Sequence, residues 1–179
     1  MRALIVVESM FGNTRAVADA VAAGLATGLQ VEVVDVGAPG TADTGADVLI
    51  VGGPTHAHGM TRPGTRKGAL AQVGQPGGGT TGTGAGLREW LVSLDAGGHR
   101  PAAAFDTRFD KPRWLVGSAA RGAARLLRRK GFRLAAPPES FYVTATKGPL
   151  ADGELVRARA WGEHLGTRVS VGQGRGRAA

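Results

Sequence analysis

Five short apolar runs, separated by amphipathic stretches, constrain the fold of this chain more than any other feature. They fall at residues 3–7 (ALIVV), 31–36 (VEVVDV), 47–52 (DVLIVG), 101–105 (PAAAF) and 140–145 (SFYVTA). Runs with few polar positions suit strands buried on both faces of a parallel sheet. Between them the apolar spacing changes to that of a helix. Val17, Val21 and Leu25 recur at four-residue spacing, Leu87, Leu91 and Leu94 repeat the pattern with Trp90 alongside, and 118–130 and 153–169 give two more helices. In the last of these, Leu155 and Leu165 are expected to face inward. A strand-then-helix alternation predicts a doubly wound α/β fold, a five-stranded parallel sheet with right-handed crossovers and helices on both faces. Such sheets bind ligands at the carboxyl ends of their strands, where strand order reverses. The residues just after each strand are therefore the place to look for function.

At 179 residues, 42% of them hydrophobic, the chain can build one sizeable core. A single domain over 1–170 is expected, with a flexible basic tail at 171–179. A glycine-rich insertion, QVGQPGGGTTGTGAG, occupies 72–86, and a short helix at 65–71 is expected before it. No run reaches the roughly 18 apolar residues of a membrane span. The opening MRALIVVESMFGNT reads as a first strand rather than a signal peptide. The absence of cysteine removes disulfides, thiolate catalysis and cysteine-ligated metals, and a cytoplasmic protein is expected. The formal charge of +8 fits an acidic partner. Specific nucleic-acid binding is not expected, because few aromatics interleave with the basic residues. Arginine far outnumbers lysine, a bias that GC-rich coding alone can produce.

The first strand runs into Ser9-Met10-Phe11-Gly12-Asn13-Thr14, directly ahead of a helix. A helix N-terminus carries unpaired N–H groups and the positive end of its dipole, which together attract anions. Gly12 lets the backbone approach a ligand, Ser9 and Thr14 add hydroxyls, and Asn13 or Thr14 can cap the helix instead. The loop lacks GxGxxG and the lysine of a P-loop, so a monophosphate held by neutral donors fits better than a pyrophosphate.

In this respect VVESMFGNTRAVADAV resembles the phosphate-loop signature of flavodoxins. Phe11 stands where those proteins often carry threonine, and Glu8 where an aromatic is usual. Both departures bear on phosphate binding, Glu8 through its charge unless Arg15 or another cation pairs with it. The resemblance covers roughly 1–169 without the insertion. It implies strand order 2-1-3-4-5, FMN as cofactor, and two further cofactor loops. One is Pro54-Thr55-His56-Ala57-His58-Gly59, similar to the Gly-x-Pro-Thr loop of flavin-dependent quinone reductases, with Thr55 at the ribityl chain and His56 and His58 near the ring. The other follows the fourth strand, with Thr107 and Arg108 first, Phe109 and Trp114 as stacking faces, and Ser118 as cap of the next helix.

His56 and His58 also admit a metal reading, but no HExxH spacing or acidic cluster supports it, and no metal is expected. No catalytic residue stands out, in keeping with one-electron transfer, which needs no acid–base pair. Arg108, Lys111 and Arg113 near a flavin would raise its potential. The expected function is an FMN-binding electron-transfer protein serving an acidic redox partner. An FMN-dependent NAD(P)H:quinone-type oxidoreductase acting on a small quinone-like acceptor is the alternative, and a stable oligomer would favour it. A flavodoxin-fold binding module without FMN is the third reading, kept alive by Glu8 and Phe11. Arg121, Arg125 and Arg128 on one helix face are expected to form a solvated face, with docking of an acidic partner as the functional alternative.

Overall fold

The computed structural model describes residues 1–38, 45–56, 59–64 and 86–176. The expected helix at 65–71, the glycine-rich insertion up to its last glycine, and Ala57 and His58 lie outside the described residues.

Six strands form one sheet: β1 (Arg2–Val7), β2 (Gln30–Asp35), β3 (Val48–Pro54), β4 (Pro101–Phe109), β5 (Arg133–Leu134) and β6 (Glu139–Val143). The order is β2-β1-β3-β4-β5, all pairs are parallel, and β6 also pairs with β4. This is the doubly wound order expected. The fifth position is shared by two segments. β5 pairs with Pro101 and Ala102 at the start of β4, and β6 with Phe105–Phe109 at its end. Pro137 and Pro138 lie between them; lacking N–H groups, they interrupt the ladder.

Helices cover both faces. On one, α2 (Leu87–Ser93) and α4 (Ala119–Arg129) bring Leu87, Leu91, Ala123 and Leu127 against Leu4, Val6, Leu49, Val51 and Ala104. On the other, α1 (Asn13–Leu25) and α5 (Glu154–Gly176) bring Val17, Val21, Leu25 and Leu165 against Ala3, Ile5, Ile50 and Phe105. A short α3 (Arg113–Val116) lies between β4 and α4. Alternate residues of each central strand serve opposite faces. Both clusters are buried, which is why these strands read as continuous apolar runs. Helices α1 and α5 approach closely. A Cβ on Gly24 would overlap the Arg159 carbonyl oxygen, and one on Gly162 would overlap that of Val21.

The inward face of α5 differs from the one expected. Leu165 is buried, but Leu155 is 47% exposed. Its neighbour Glu154 is buried in its place, accepting a hydrogen bond from the Tyr142 N–H at 2.7 Å and pairing with Arg157 at 2.6 Å. Hydropathy alone assigns a leucine inward before a glutamate. Here the carboxylate wins because it satisfies a strand N–H and a guanidinium together. Hydrogen bonds to Glu154, opposed by burial and aided by Glu139, raise the Arg157 pKa. The helix continues to Gly176, into the segment expected as a tail.

Candidate functional site

The carboxyl ends of β1, β3, β4 and β6 converge on a cavity of about 340 Å³. Met10, Phe11, Asn13 and Thr14 line it from the β1–α1 connection, and Pro54, Thr55 and His56 from the end of β3. Thr107, Arg108 and Phe109 of β4 add to the wall, which Leu115, Val116, Val143 and Thr146 complete. The β1–α1 side mixes the apolar Met10 and Phe11 with the polar Asn13 and Thr14, and the wall from Phe109 to Val116 is largely apolar.

Gly12 is the N-cap of α1 with φ of +86°, and no side chain caps the helix from that position. The expected capping by Asn13 or Thr14 is therefore not how the helix begins. Thr14 instead shares a buried hydrogen bond of 2.8 Å with Thr107, tying α1 to β4. Ser9 reaches the first turn, its Oγ accepting from the Arg15 N–H at 3.2 Å. That bond uses an oxygen lone pair and leaves the Ser9 O–H able to donate. The first N–H groups of a helix have no partner within it. No acidic residue occupies the first turn to neutralise them. The positive end of α1 thus sits at a loop where Ser9, Gly12 and Asn13 stand beside the bulkier Met10 and Phe11.

Glu8 does not face this loop. Its carboxylate is buried, with Oε1 accepting from the Thr61 hydroxyl at 2.6 Å and Oε2 from the Leu87 N–H at 2.9 Å. It follows Leu4 and Val6 on the α2–α4 face, opposite α1. Arg15 is not its partner; that guanidinium pairs with Asp19 and Asp35. Asp106 repeats the device at the end of β4. Its Oδ2 accepts from Thr55 Oγ1 at 3.0 Å, Ser118 Oγ at 2.7 Å and the Ala120 N–H at 2.9 Å. Each acid thus meets the N-terminus of a helix on one face, α2 or α4, while α1 on the other face has no such acid.

Thr55 lines the cavity, but its hydroxyl is committed: it donates to Asp106 and accepts from the Ala119 N–H at 2.8 Å. His56 and Gly59 exchange backbone hydrogen bonds of 2.8 and 3.0 Å. Ser118 caps α4 as expected, accepting from the Arg121 N–H. Arg108 is 5% exposed and donates to the carbonyls of Phe109 and Lys111 at 3.1 and 2.7 Å, with its guanidinium 5.2 Å from the Tyr142 ring centre. Its buried Nε has no hydrogen-bond partner.

The structure brings ten of the expected residues to one cavity, from Met10 to Phe109. Ser9 and Gly12 shape the loop behind them, Gly59 faces a neighbouring hollow, and Trp114 is 83% exposed and does not line the cavity. Thr107, Arg108 and Phe109, expected in a loop, are the last residues of β4, because pairing with β6 extends the strand. Asp106 was missed, although the sequence carries a signal: an acid directly after an apolar run, as at Glu8. Leu115, Val116, Val143 and Thr146 were missed because nothing local marks them.

No protein-family model matches the chain, and neither does any curated protein. Solved structures do. A flavodoxin from the domain Archaea aligns over 95% of this chain and 99% of its own at 20% identity and a TM-score of 0.64. Flavodoxin 2 from Bacillus cereus gives 94% and 99%, 16% identity and a TM-score of 0.67. A flavodoxin, WrbA-like protein from Agrobacterium tumefaciens gives 94% and 97%, 18% identity and a TM-score of 0.58. The chain has a flavodoxin-like fold.

Proposed function

We propose that this protein binds FMN at the cavity beside α1 and transfers electrons to or from a redox partner. The observation that carries the reading is the start of α1: Gly12 in the left-handed region at the N-cap with no side chain to cap from there, no acid in the first turn, and the Ser9 hydroxyl, which accepts from one N–H of that turn and keeps its own proton to donate. The donor set fits a phosphate monoester. Backbone N–H groups of the 10–14 loop and the Ser9 hydroxyl would hold it, and Glu8 leaves it unopposed by facing the other side of the sheet. Phe109, Leu115, Val116 and Val143 offer the apolar wall that suits a planar ring. With Thr55 committed to Asp106 and Ala119, and the Thr107 hydroxyl shared with Thr14, the polyol would rely on other donors, of which His56 lines the cavity. The flavin, when bound, supplies the electron transfer.

This chain's own contribution is binding, exclusion of water and charge. The buried Arg108 guanidinium keeps a positive charge at the cavity wall, which favours an anionic reduced ring and raises the potential. The basic surface fits an acidic partner protein. Reduction of a small quinone-like acceptor by NAD(P)H is the second reading, favoured by the exposed Phe109, Trp114 and Leu115 near the cavity. Titration of the purified protein with FMN, followed by visible absorption, tests the proposal. Saturable uptake with shifted flavin bands is expected. An unchanged spectrum under a clear excess of FMN would leave a flavodoxin-like fold put to another use.

A further inference from the structure

The connection from β6 to α5 closes one side of the cavity. Val143 and Leu150 form an antiparallel bridge, so the chain turns back on itself between them. The base of this hairpin is fixed. The Thr144 N–H donates to the Pro149 carbonyl at 2.9 Å, the Thr144 hydroxyl reaches the same oxygen at 3.1 Å, and the Ala151 N–H donates to the Tyr142 carbonyl at 2.9 Å. Leu150 packs against the core on the α1–α5 face. At the tip, the Gly148 N–H donates to the Ala145 carbonyl at 3.0 Å. Val143 and Thr146 line the cavity from this side.

The tip meets the start of α1. Gly148 has a φ of +95°, and a Cβ built on it would stand 2.6 Å from both Nδ2 and Oδ1 of Asn13 and 3.0 Å from its Cγ. The Asn13 amide therefore lies against the Gly148 backbone, where a hydrogen leaves room and a methyl group does not. Asn13 is the first residue of α1 and lines the cavity, and its amide forms no hydrogen bond among the described residues. That amide can donate to an anion at the helix start without giving up a bond elsewhere. The contact differs in kind from those at Gly24 and Gly162, where an added Cβ would meet backbone. At Gly148 it would meet the end of a side chain that can swing aside. A methyl group there therefore changes where the amide points more than how the fold packs.

We propose that Gly148 is a positioning residue for the cofactor phosphate. Its bare α-carbon lets the hairpin close on α1 and hold the Asn13 amide at the cavity, in place to donate to a phosphate oxygen. The inference rests on the FMN reading above and adds to it a constraint from a segment outside the β1–α1 loop.

Dissociation constants for FMN and riboflavin, measured by flavin fluorescence on the full chain and its variants, test this role. Gly148→Ala should weaken FMN by about tenfold, the worth of one charge-assisted hydrogen bond, and leave riboflavin nearly unchanged. Asn13→Ala should match that loss. Gly148→Ala in the Asn13→Ala background should add little, since the group that the methyl displaces is already gone. Gly153→Ala controls for backbone strain: it puts alanine at a φ of +80° on the same connection with no atom within 4 Å, and should keep the parent ratio of the two affinities. Gly148→Asn, which tolerates a left-handed backbone better and still carries a Cβ, serves if the alanine variant fails to fold. If the parent binds FMN, an unchanged affinity in the Gly148 variant, an equal loss for both ligands, or full additivity in the double variant would overturn the inference alone. Failure of the parent to bind FMN would overturn the FMN reading, and this inference with it.

Discussion

Glu8 and Leu87 are joined across the sequence by a 2.9 Å hydrogen bond from the Leu87 N–H to the Glu8 carboxylate. That bond places the acid nearest the β1–α1 loop at the start of α2, on the opposite face of the sheet from α1. The carboxylate supports a fold element and leaves the start of α1 free for an anion.

Glu8→Ala would strip the acceptor from both Thr61 and Leu87. Stability should fall by about 1–3 kcal/mol, the range for stranding buried donors, as read by urea unfolding. FMN affinity should stay close to that of the parent protein. A sharp gain in FMN affinity with little loss of stability would mean that Glu8 acts on the cofactor site after all.

Asp106 collects three donors, two of them from Ser118 and Ala120 at the start of α4. Asp106→Ala should cost about 2 kcal/mol or more, and Asp106→Asn less, because the amide keeps one acceptor oxygen. Thermal unfolding of the two variants side by side checks the order. Equal losses would show that the charge, and not the acceptor, is what α4 requires.

How much of this was legible in the sequence follows from where side-chain period and polarity agree. Five of the six strands, all but the two-residue β5, and four of the helices were readable because both faces of the sheet are covered, so apolar runs and helical spacing coincide with burial. The inward face of α5 was not, since a buried Glu154 competes with Leu155 through hydrogen bonds that hydropathy does not register. The end of β4 was hidden for the same reason: Asp106, Thr107 and Arg108 look like loop residues, yet each is buried and partnered. The Ser9–Thr14 loop was legible because its residue types are unusual directly after a strand. Trp114 misled because an aromatic's position relative to a cavity depends on the backbone of α3.

Gly24 and Gly162 let α1 and α5 meet at backbone distance. Alanine at either position forces the helices apart and should destabilise by about 1–3 kcal/mol, the usual cost of overpacking. Urea denaturation checks it, and the double variant should cost less than the sum, since one separation accommodates both methyl groups.

Gly12→Ala meets no neighbouring atom within 4 Å, so its cost is conformational. The left-handed backbone should cost about 1–2 kcal/mol. If the loop relaxes to escape it, FMN binding weakens more than stability does. Fluorescence titration beside thermal unfolding separates the two effects, and an unchanged FMN affinity would remove the Gly12 conformation from the binding account.

The central claim is that the start of α1 holds a phosphate. Dissociation constants for FMN and riboflavin, measured on the same preparation, test it most directly because the two ligands share the ring and polyol and differ in the phosphate alone. FMN should bind at least about tenfold more tightly, the worth of one charge-assisted hydrogen bond, and Ser9→Ala should narrow the gap. Equal affinities would contradict the account and place any flavin binding on the apolar wall.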